Sequence, residues 1–302
     1  MKIASIDIGT NTVRCLLGEV QNGILTPTAI FRDIIRLGGG LRAMGELDPA
    51  ALERLTAVLT SYSEHIRESG AGRVRAVGTS ALRDADRRGT IRKALKEVLG
   101  DPVDVISGEE EARLTSLGVQ AGIGSMKSGI VLDIGGGSTE LIRVSAGNNV
   151  WWTSLPAGVV HLTEELFLND PPSRRQVETL RTRFRNLLDL ERGDGGHQMA
   201  GTAGTPTTLA AVQLGIDDYD PTLVNGHVLS RDAIQDLVKQ FLARTSAGRL
   251  AMRGMEKGRE DLIVAGSLMV LEVMDRWGYK EMIVSDWGLL EGIAIDLVNS
   301  ER

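Results

Sequence analysis

The sequence predicts an α/β fold of two duplicated domains, each with a mixed sheet covered by helices. A phrase that occurs twice carries this prediction: DIGTNTVR starts at Asp7, and DIGGGSTEL starts at Asp133, 126 positions later. In both copies two strand-like segments flank a turn of glycine and small residues, and alternating helices and strands follow. Two occurrences at long spacing indicate a duplicated domain rather than a repeat array.

We place the first domain at residues 1–124 and the second at 125–302, with the last helix able to pack back on the first domain. Two similar domains with matching glycine turns are expected to face one another across a cleft. The glycines between Gly122 and Gly129 would allow this cleft to close, although a glycine there could equally end the preceding helix.

Apolar alternation in the first half predicts strands at 2–8, 13–20, 24–37, 74–79 and 103–106. Pro49 suits the first turn of a helix, and apolar residues follow it at helical spacing. Further helices are predicted at 90–99 and from Ser107. The Ser107 hydroxyl and the Glu110 carboxylate have the spacing of a capping box.

The second half repeats the opening pattern of strand, glycine turn, strand and third strand over residues 129–155. Residues 197–215 read as a strand, a glycine turn and a helix, and a late strand is predicted at 281–285. Helical spacing predicts the remaining helices at 159–167, 174–188, 231–243, 260–277 and 289–299.

The composition is that of a globular protein, with 42% hydrophobic and 25% charged residues in a chain of 302. The opening residues MKIASIDIGT are too polar for a signal peptide, and no apolar run approaches the ~20 residues of a membrane span. One cysteine, Cys15, excludes an intramolecular disulfide. We therefore expect a cytoplasmic protein without membrane association.

The charge distribution argues against a nucleic-acid-binding protein, because the net charge is −6. A basic segment nonetheless runs from Arg73 to Lys96, with eight cations and two carboxylates. A compact polyanion could bind there, or the cations could simply face solvent. The sequence leaves both interpretations open.

The glycine turns have the chemistry of phosphate loops, because turns of glycine and small hydroxyl residues expose consecutive backbone N–H groups. A third such turn starts at Gly201 and opens a helix, which adds the helix dipole. Asp7 and Asp133 end the strands before the first two turns, where a carboxylate can hold a divalent cation, and Glu140 could return to the position of Asp133. Each turn alone could be only a structural hairpin, but three together predict a phosphate-binding cleft.

The motifs, in their order, resemble the exopolyphosphatase and guanosine pentaphosphate phosphatase family within the actin-like ATPase and sugar-kinase superfold. The resemblance implies two actin-like, ribonuclease H-like domains, and it covers nearly the whole chain. The pairing of SGEEEAR with a later DIGGGSTEL is its most specific part. The motifs are DIGTNTVR (7–14), RLGGGL (36–41), GTSALRDA (78–85), ISGEEEARL (106–114), DIGGGSTEL (133–141) and GTAGTPTTLAA (201–211).

The resemblance implies hydrolysis of the terminal phosphoanhydride of inorganic polyphosphate, or of the 5′ γ-phosphate of guanosine pentaphosphate, with Mg2+. Glu111 matches the family's catalytic glutamate, as a base or a water-orienting group, with Glu110 occupied in the capping box. Its position alone favours the simpler interpretation, a first-turn glutamate that stabilises the helix dipole, and the catalytic assignment comes from the resemblance. A kinase or ATPase of the superfold, and a non-catalytic polyphosphate or guanosine tetraphosphate sensor, stay as alternatives.

The resemblance also assigns ligand positions. It places Asp7, Asp133 and Glu140 near the magnesium ion. The implied phosphate-binding residues are Arg83 of the TSAxR motif and the residues of the three turns. The turn residues are Gly9, Thr10, Asn11 and Thr12; Gly135, Gly136, Gly137 and Ser138; and Gly201, Thr202, Ala203, Gly204 and Thr205.

The chain departs from the family pattern at Gly39, where an acidic residue is common, at Arg87, where asparagine is usual, and at Leu290, where arginine is frequent. The last change is expected to weaken an anion contact, or it places the chain in a subgroup of the family. Longer members carry a further helical C-terminal portion, so processivity on long polymers is in doubt. His161 is interpreted as a structural histidine, and a homodimer is possible although no interface is visible.

Overall fold

The computed structural model describes residues 1–21, 24–86, 89–188 and 196–300. The chain divides into two compact units. The first contains Met1–Gly118 and Gly288–Arg302, and the second contains Val119–Trp287. The last helix, which was predicted in the second domain with the option of returning, therefore belongs to the first unit.

The secondary structure alternates along the chain. The strands are β1 (Lys2–Ile8), β2 (Thr12–Gln21), β3 (Ile24–Ile34), β4 (Arg73–Gly78), β5 (Val103–Val105), β6 (Ser128–Ile134), β7 (Thr139–Ser145), β8 (Asn148–Leu155), β9 (Gln198–Thr202), β10 (Val228–Ser230) and β11 (Glu281–Val284). The helices are α1 (Leu41–Met44), α2 (Pro49–Ser69), α3 (Ser80–Ala85), α4 (Thr90–Leu99), α5 (Gly108–Ile123), α6 (Val159–Leu166), α7 (Arg174–Leu188), α8 (Gly204–Leu214), α9 (Pro221–Val224), α10 (Arg231–Leu242), α11 (Ser246–Leu250), α12 (Ile263–Trp277) and α13 (Leu289–Asn299).

The first unit is built on a five-stranded mixed sheet in the order β3-β2-β1-β4-β5. β1 is central: it pairs antiparallel with β2 and parallel with β4, and every residue from Ile3 to Ile8 is buried. Burial on both faces shows that this central strand is covered on both sides of the sheet, although it contains the polar residues Ser5 and Asp7. β3 ends at Ile34, earlier than predicted, because the amides of Ile35 and Arg36 turn to the Asn11 carbonyl.

Helix α13 packs on the sheet of the first unit. Leu290 is fully buried in an apolar cluster with Ile3, Leu16 and Val20, and its carbonyl accepts a hydrogen bond of 2.9 Å from Ser5 Oγ. The side chain at position 290 thus belongs to the core in this chain, and the expected loss of an anion contact stays a prediction.

The second unit repeats the first. Its six-stranded sheet has the order β10-β11-β9-β6-β7-β8. β6 pairs antiparallel with β7 and parallel with β9, as β1 does with β2 and β4. β11 pairs parallel with β9, as β5 does with β4, and β10 adds an antiparallel edge. The predicted duplication with two mixed sheets is confirmed by this match of order and direction.

The glycines proposed as a hinge have defined packing. A Cβ at Gly122 would lie 2.7 Å from Trp287 Cβ, and a Cβ at Gly129 would lie 2.2 Å from the Gln198 carbonyl oxygen. Gly124, with φ +90°, follows the end of α5. Closure of the predicted cleft stays a prediction.

Within the described ranges, none of the helices has both the length and the apolar character needed to cross a membrane.

Candidate active site

The first two glycine turns share one backbone geometry. The Gly9 amide donates to the Thr12 carbonyl, and the Gly135 amide donates to the Ser138 carbonyl, each at 3.0 Å. A Cβ at Gly9 or Gly135 would lie only 3.0 or 3.1 Å from the same carbonyl oxygen. Glycine therefore permits this tight turn in both copies.

Backbone hydrogen bonds from the segment around RLGGGL hold the first turn in place. The Thr10 carbonyl accepts a hydrogen bond from the Gly38 amide at 2.8 Å, and the Asn11 carbonyl accepts from the amides that follow β3. A Cβ at Gly38 would lie 2.3 Å from Thr10 Cγ2, so this close approach requires glycine. Because the C=O and N–H of one trans peptide point in opposite directions, the Asn11 and Thr12 amides face away from the support.

The second turn is supported by the first turn of α6. All three of its glycine carbonyls accept hydrogen bonds from that helix, two from backbone amides and one from a side chain. The three bonds are Val159 N–H to the Gly135 oxygen (3.0 Å), Val160 N–H to the Gly136 oxygen (2.9 Å) and the His161 ring nitrogen Nδ1 to the Gly137 oxygen (3.0 Å).

This support gives the second turn a row of outward donors. With three successive carbonyls directed to α6, the amides of Gly136, Gly137 and Ser138 point to the opposite side. Such a row of N–H groups forms an anion-binding concavity. Gly158 makes the arrangement possible, because a Cβ there would lie 2.3 Å from the Gly136 carbonyl oxygen.

The third turn joins β9 to α8. Ala203 has φ +67° and ψ −167°, a region that side chains rarely occupy at a cost on the order of 1–3 kcal/mol. Thr202 Oγ1 donates to the Trp287 carbonyl at 3.0 Å, and Thr205 is buried at the start of α8. A Cβ at Gly201 would lie 2.4 Å from Met282 Sδ, so Gly201 serves close packing of the sheet.

Sequence reasoning missed Arg259, which lies against the third turn. A Cβ at Gly204 would lie 1.8 Å from Arg259 Nη1, so the guanidinium occupies the space that this glycine leaves open. Arg259 Nε also pairs with Glu256 at 2.9 Å. Arg259 precedes α12 in an irregular segment, where no periodic signal could have identified it.

The first turn contains buried polar atoms that the described part of the chain does not satisfy. They are Asp7 Oδ1, both polar atoms of the Asn11 amide and Thr12 Oγ1. The second oxygen of Asp7 accepts from Arg14 Nη2 at 2.7 Å. Buried polar groups are normally hydrogen-bonded, so this concentration points to a polar ligand at the turn.

The second turn carries two carboxylates where the first carries an ion pair. Asp133 and Glu140 are directly opposite in the β6–β7 ladder and are 7% and 1% exposed. Glu140 Oε1 accepts from Ser154 Oγ at 2.7 Å. Like charges opposite one another are unfavourable, and a cation between them would relieve the repulsion.

Across the described residues, no group of three or more His, Cys, Asp or Glu side chains could by itself hold a metal ion. Mg2+ is often held by one or two carboxylates, with substrate phosphate oxygens and water completing its coordination. The Asp133–Glu140 pair has the donor chemistry of such a partial site.

Glu111 and Arg83 contact each other directly. Glu111, in the first turn of α5, is 6% exposed, and its Oε2 accepts from Arg83 Nη1 at 2.6 Å. The same Nη1 donates to the Ile106 carbonyl at 3.0 Å. Glu111, expected to be available for catalysis beside an occupied Glu110, is therefore itself oriented by the predicted phosphate-binding arginine.

The Glu110 carboxylate has a different role from the one predicted. The backbone amide of Glu110 donates to Ser107 Oγ at 3.1 Å, as in a helix cap. The Glu110 carboxylate, however, binds Arg113 through two contacts of 2.8 Å. The hydrogen bond from Arg113 holds the pKa of Glu110 below its usual value. The sequence could not distinguish a partner at Ser107 from one at Arg113, because each lies three residues from Glu110.

Two arginines of the basic segment form ion pairs within their own unit. Arg75 binds Asp296 at 2.5 Å, and Arg92 binds the buried Asp86 at 3.0 Å. Arg87 and Arg88 lie outside the described residues. For Arg75 and Arg92, these ion pairs favour a structural role over binding of a polyanion.

A model of the Ppx/GppA phosphatase family matches residues 17–301. The chain belongs to this family. Exopolyphosphatase 2 of Mycobacterium tuberculosis is 33% identical over 314 aligned positions, which cover 98% of each chain. The crystal structure of the Aquifex aeolicus Ppx/GppA family member has a TM-score of 0.87 at 33% identity and covers 100% of this chain and 99% of its own. A guanosine-5′-triphosphate,3′-diphosphate pyrophosphatase of Photobacterium profundum is 27% identical over 99% of this chain and 60% of its own length.

Membership of the Ppx/GppA family confirms the predicted family, the α/β class and the class of enzyme, a hydrolase. Of the departures from the family pattern, Arg87 lies outside the described residues. Gly39 lies in the turn beneath the first glycine loop, where its amide donates to the Arg36 carbonyl at 3.1 Å. Leu290 is a core residue, as described above.

Proposed function

We propose that this Ppx/GppA family member is an exopolyphosphatase, which releases terminal orthophosphate from inorganic polyphosphate by attack of water. The second glycine turn carries the proposal, because its amides point outward in a row while α6 holds the three carbonyls behind them. A terminal phosphate offers three oxygens to such a row of donors. The relative from M. tuberculosis, named an exopolyphosphatase, aligns over nearly its whole length.

In the proposed mechanism the turns bind phosphate. The Gly136, Gly137 and Ser138 amides are assigned to phosphate oxygens. In the first turn, the buried Asn11 amide and Thr12 hydroxyl supply donors that the described residues do not use. The positive φ of Ala203 and the helix start at Gly204 support the same assignment for the third turn.

Asp133 and Glu140 would hold Mg2+. The carboxylate of Asp7, in the first turn, is assigned a supporting role. The buried, directly opposed carboxylates in the second turn support this assignment. When bound, the ion would neutralise charge on the phosphate oxygens. The ion pair with Arg14 already compensates part of the charge of Asp7.

Glu111 is assigned the role of base or water-orienting group. Burial and the 2.6 Å contact with Arg83 fix the direction of its carboxylate, as such a role requires. Both hydrogen bonds of Arg83 described above use Nη1. Its remaining guanidinium donors are the ones we assign to a substrate oxygen.

The second candidate function is the 5′-phosphohydrolysis of guanosine pentaphosphate. The observation that favours it is the similarity to the P. profundum relative, which is named for action on a guanosine nucleotide. The same turns and the same glutamate would act on either terminal phosphate, so only assays of both substrates separate the two candidates. A sensor would bind phosphate without turnover, and substitution of Glu111 would then change no reaction rate.

The test is phosphate release from medium-length polyphosphate with Mg2+, with guanosine pentaphosphate assayed in parallel. We expect Glu111→Gln to reduce the rate by about 10²–10⁴, the range for a general base. Glu109→Gln is the matched control, because Glu109 is an exposed glutamate in the same helical turn. Cleavage of guanosine pentaphosphate but not of polyphosphate would contradict the first proposal and support the second candidate function. Binding without turnover by the parent would support the sensor and contradict both.

A further inference from the structure

The three glycine carbonyls of the second turn are held in two different ways. Backbone amides at the start of α6 hold the first two, so no side-chain substitution there removes those donors. The third carbonyl, of Gly137, accepts from the His161 ring at 3.0 Å. His161 is 2% exposed, so water cannot readily replace this donor.

The identity of the acceptor defines the form of the imidazole. A carbonyl oxygen only accepts hydrogen bonds, so Nδ1 of His161 must carry the proton in this contact. The amide nitrogen of an asparagine is attached at nearly the same distance from the backbone as Nδ1. Asparagine can therefore supply the same donor at position 161, whereas leucine cannot.

The peptide that His161 holds depends on a side chain for its orientation. It joins Gly137 to Ser138, and glycine adopts backbone conformations of either sign of φ at little cost. If the anchor of the Gly137 carbonyl is lost, the peptide is free to rotate, and the Ser138 amide leaves the row of outward donors. In the first turn the Thr10 and Asn11 carbonyls accept from backbone amides.

We propose that His161 is a positioning residue of the second turn, which holds the Gly137–Ser138 peptide so that the Ser138 amide faces phosphate. The proposal deepens the proposed function and rests on the second turn as a phosphate site. His161 acts through the peptide and does not itself touch the substrate. Sequence reasoning assigned it only a structural role, because the contact with Gly137 crosses 24 residues.

The experiment compares His161→Asn and His161→Leu with the parent, in polyphosphate hydrolysis and in calorimetric titration with orthophosphate. We expect His161→Leu to lose about tenfold or more in kcat/KM and in orthophosphate affinity, because a donor to a charged oxygen is displaced. His161→Asn should stay within about threefold of the parent in both. His227→Leu is the control, because it removes a histidine that binds Gln213 in the same unit.

Two results would overturn the proposal. One is orthophosphate affinity of His161→Leu equal to that of the parent, and the other is equal impairment of the Asn and Leu variants. If the leucine variant does not fold, His161→Gln replaces it, because its amide is one carbon farther along and should weaken phosphate binding without adding an apolar group. If the parent hydrolyses neither substrate, the proposed function fails, while the orthophosphate titrations still decide the role of His161.

Discussion

The two glycine turns have the same backbone and opposite electrostatics. In each, the glycine amide bonds the carbonyl three residues on at 3.0 Å, and an aspartate ends the preceding strand. The residue directly across the ladder is Arg14 for Asp7, but Glu140 for Asp133. The first turn thus places an arginine opposite its aspartate, whereas the second places a second carboxylate there, the arrangement to which we assign the cation. The two copies thus share the backbone of the turn and differ at one cross-strand position, to which we trace the proposed division of roles.

The largest expected effect comes from giving the second turn the charge pattern of the first. Glu140→Arg should pair with Asp133, as Arg14 pairs with Asp7, and should reduce Mg2+-dependent phosphate release by at least about 10², because the cation site is lost. The melting temperature should stay close to that of the parent, since an opposite-charge pair replaces a like-charge pair. Activity at the parental level would show that Glu140 takes no part in metal binding.

The supports of the two turns should differ in their tolerance to one added methyl group. A Cβ at Gly158 would meet backbone atoms of Gly136 and Gly137 at 2.3–2.4 Å, whereas a Cβ at Gly38 would meet a side-chain methyl of Thr10. We expect Gly158→Ala to cost about 1–3 kcal/mol in the free energy of unfolding and Gly38→Ala to cost less, because backbone yields less readily than a side chain. Chemical denaturation of both variants checks the order. Equal costs would mean that the second turn is not held rigidly by α6.

A smaller effect, with a defined pH dependence, is expected at Glu110. Its pKa in the folded protein lies below the usual value because Arg113 binds the carboxylate. The pair therefore stabilises the fold above the pKa of the unfolded chain, and the contribution disappears as the pH falls through the lower, folded pKa. We expect Glu110→Gln to lower stability by about 0.2–0.5 kcal/mol at pH 7. Thermal unfolding at pH 7 and pH 3 checks this, and a difference at pH 3 as large as that at pH 7 would contradict it.

Long periodic elements could be predicted from the sequence. Helices α7 and α13 begin and end at the predicted residues, because their apolar spacing continues to both ends. Elements such as α3, with six residues, and β10, with three, are too short to show a period and were missed. The predicted capping box at Ser107 was half right. The Glu110 backbone N–H donates to the Ser107 hydroxyl, but arginines of the same helix and of another element bind the Glu110 carboxylate.

The identity of the candidate site residues was visible in the motifs, but their contacts were not. The bond between Glu111 and Arg83 joins residues 28 positions apart through side-chain geometry that no local pattern records. Burial of Leu290 depends on α13 returning to β1 and β2, which the sequence left as an option. The left-handed backbone at Ala203 has no signal either, because alanine is not a residue that favours it.

The most direct measurement is the Mg2+ concentration for half-maximal phosphate release in Asp133→Asn and Asp7→Asn, beside the parent. The two variants remove the same charge from equivalent strand ends, so they are matched to one another. We predict that Asp133→Asn raises the Mg2+ requirement at least about tenfold, and that Asp7→Asn raises it by less than about threefold, because Arg14 already compensates Asp7. Equal shifts, or a larger shift for Asp7→Asn, would contradict the division of roles between the two turns.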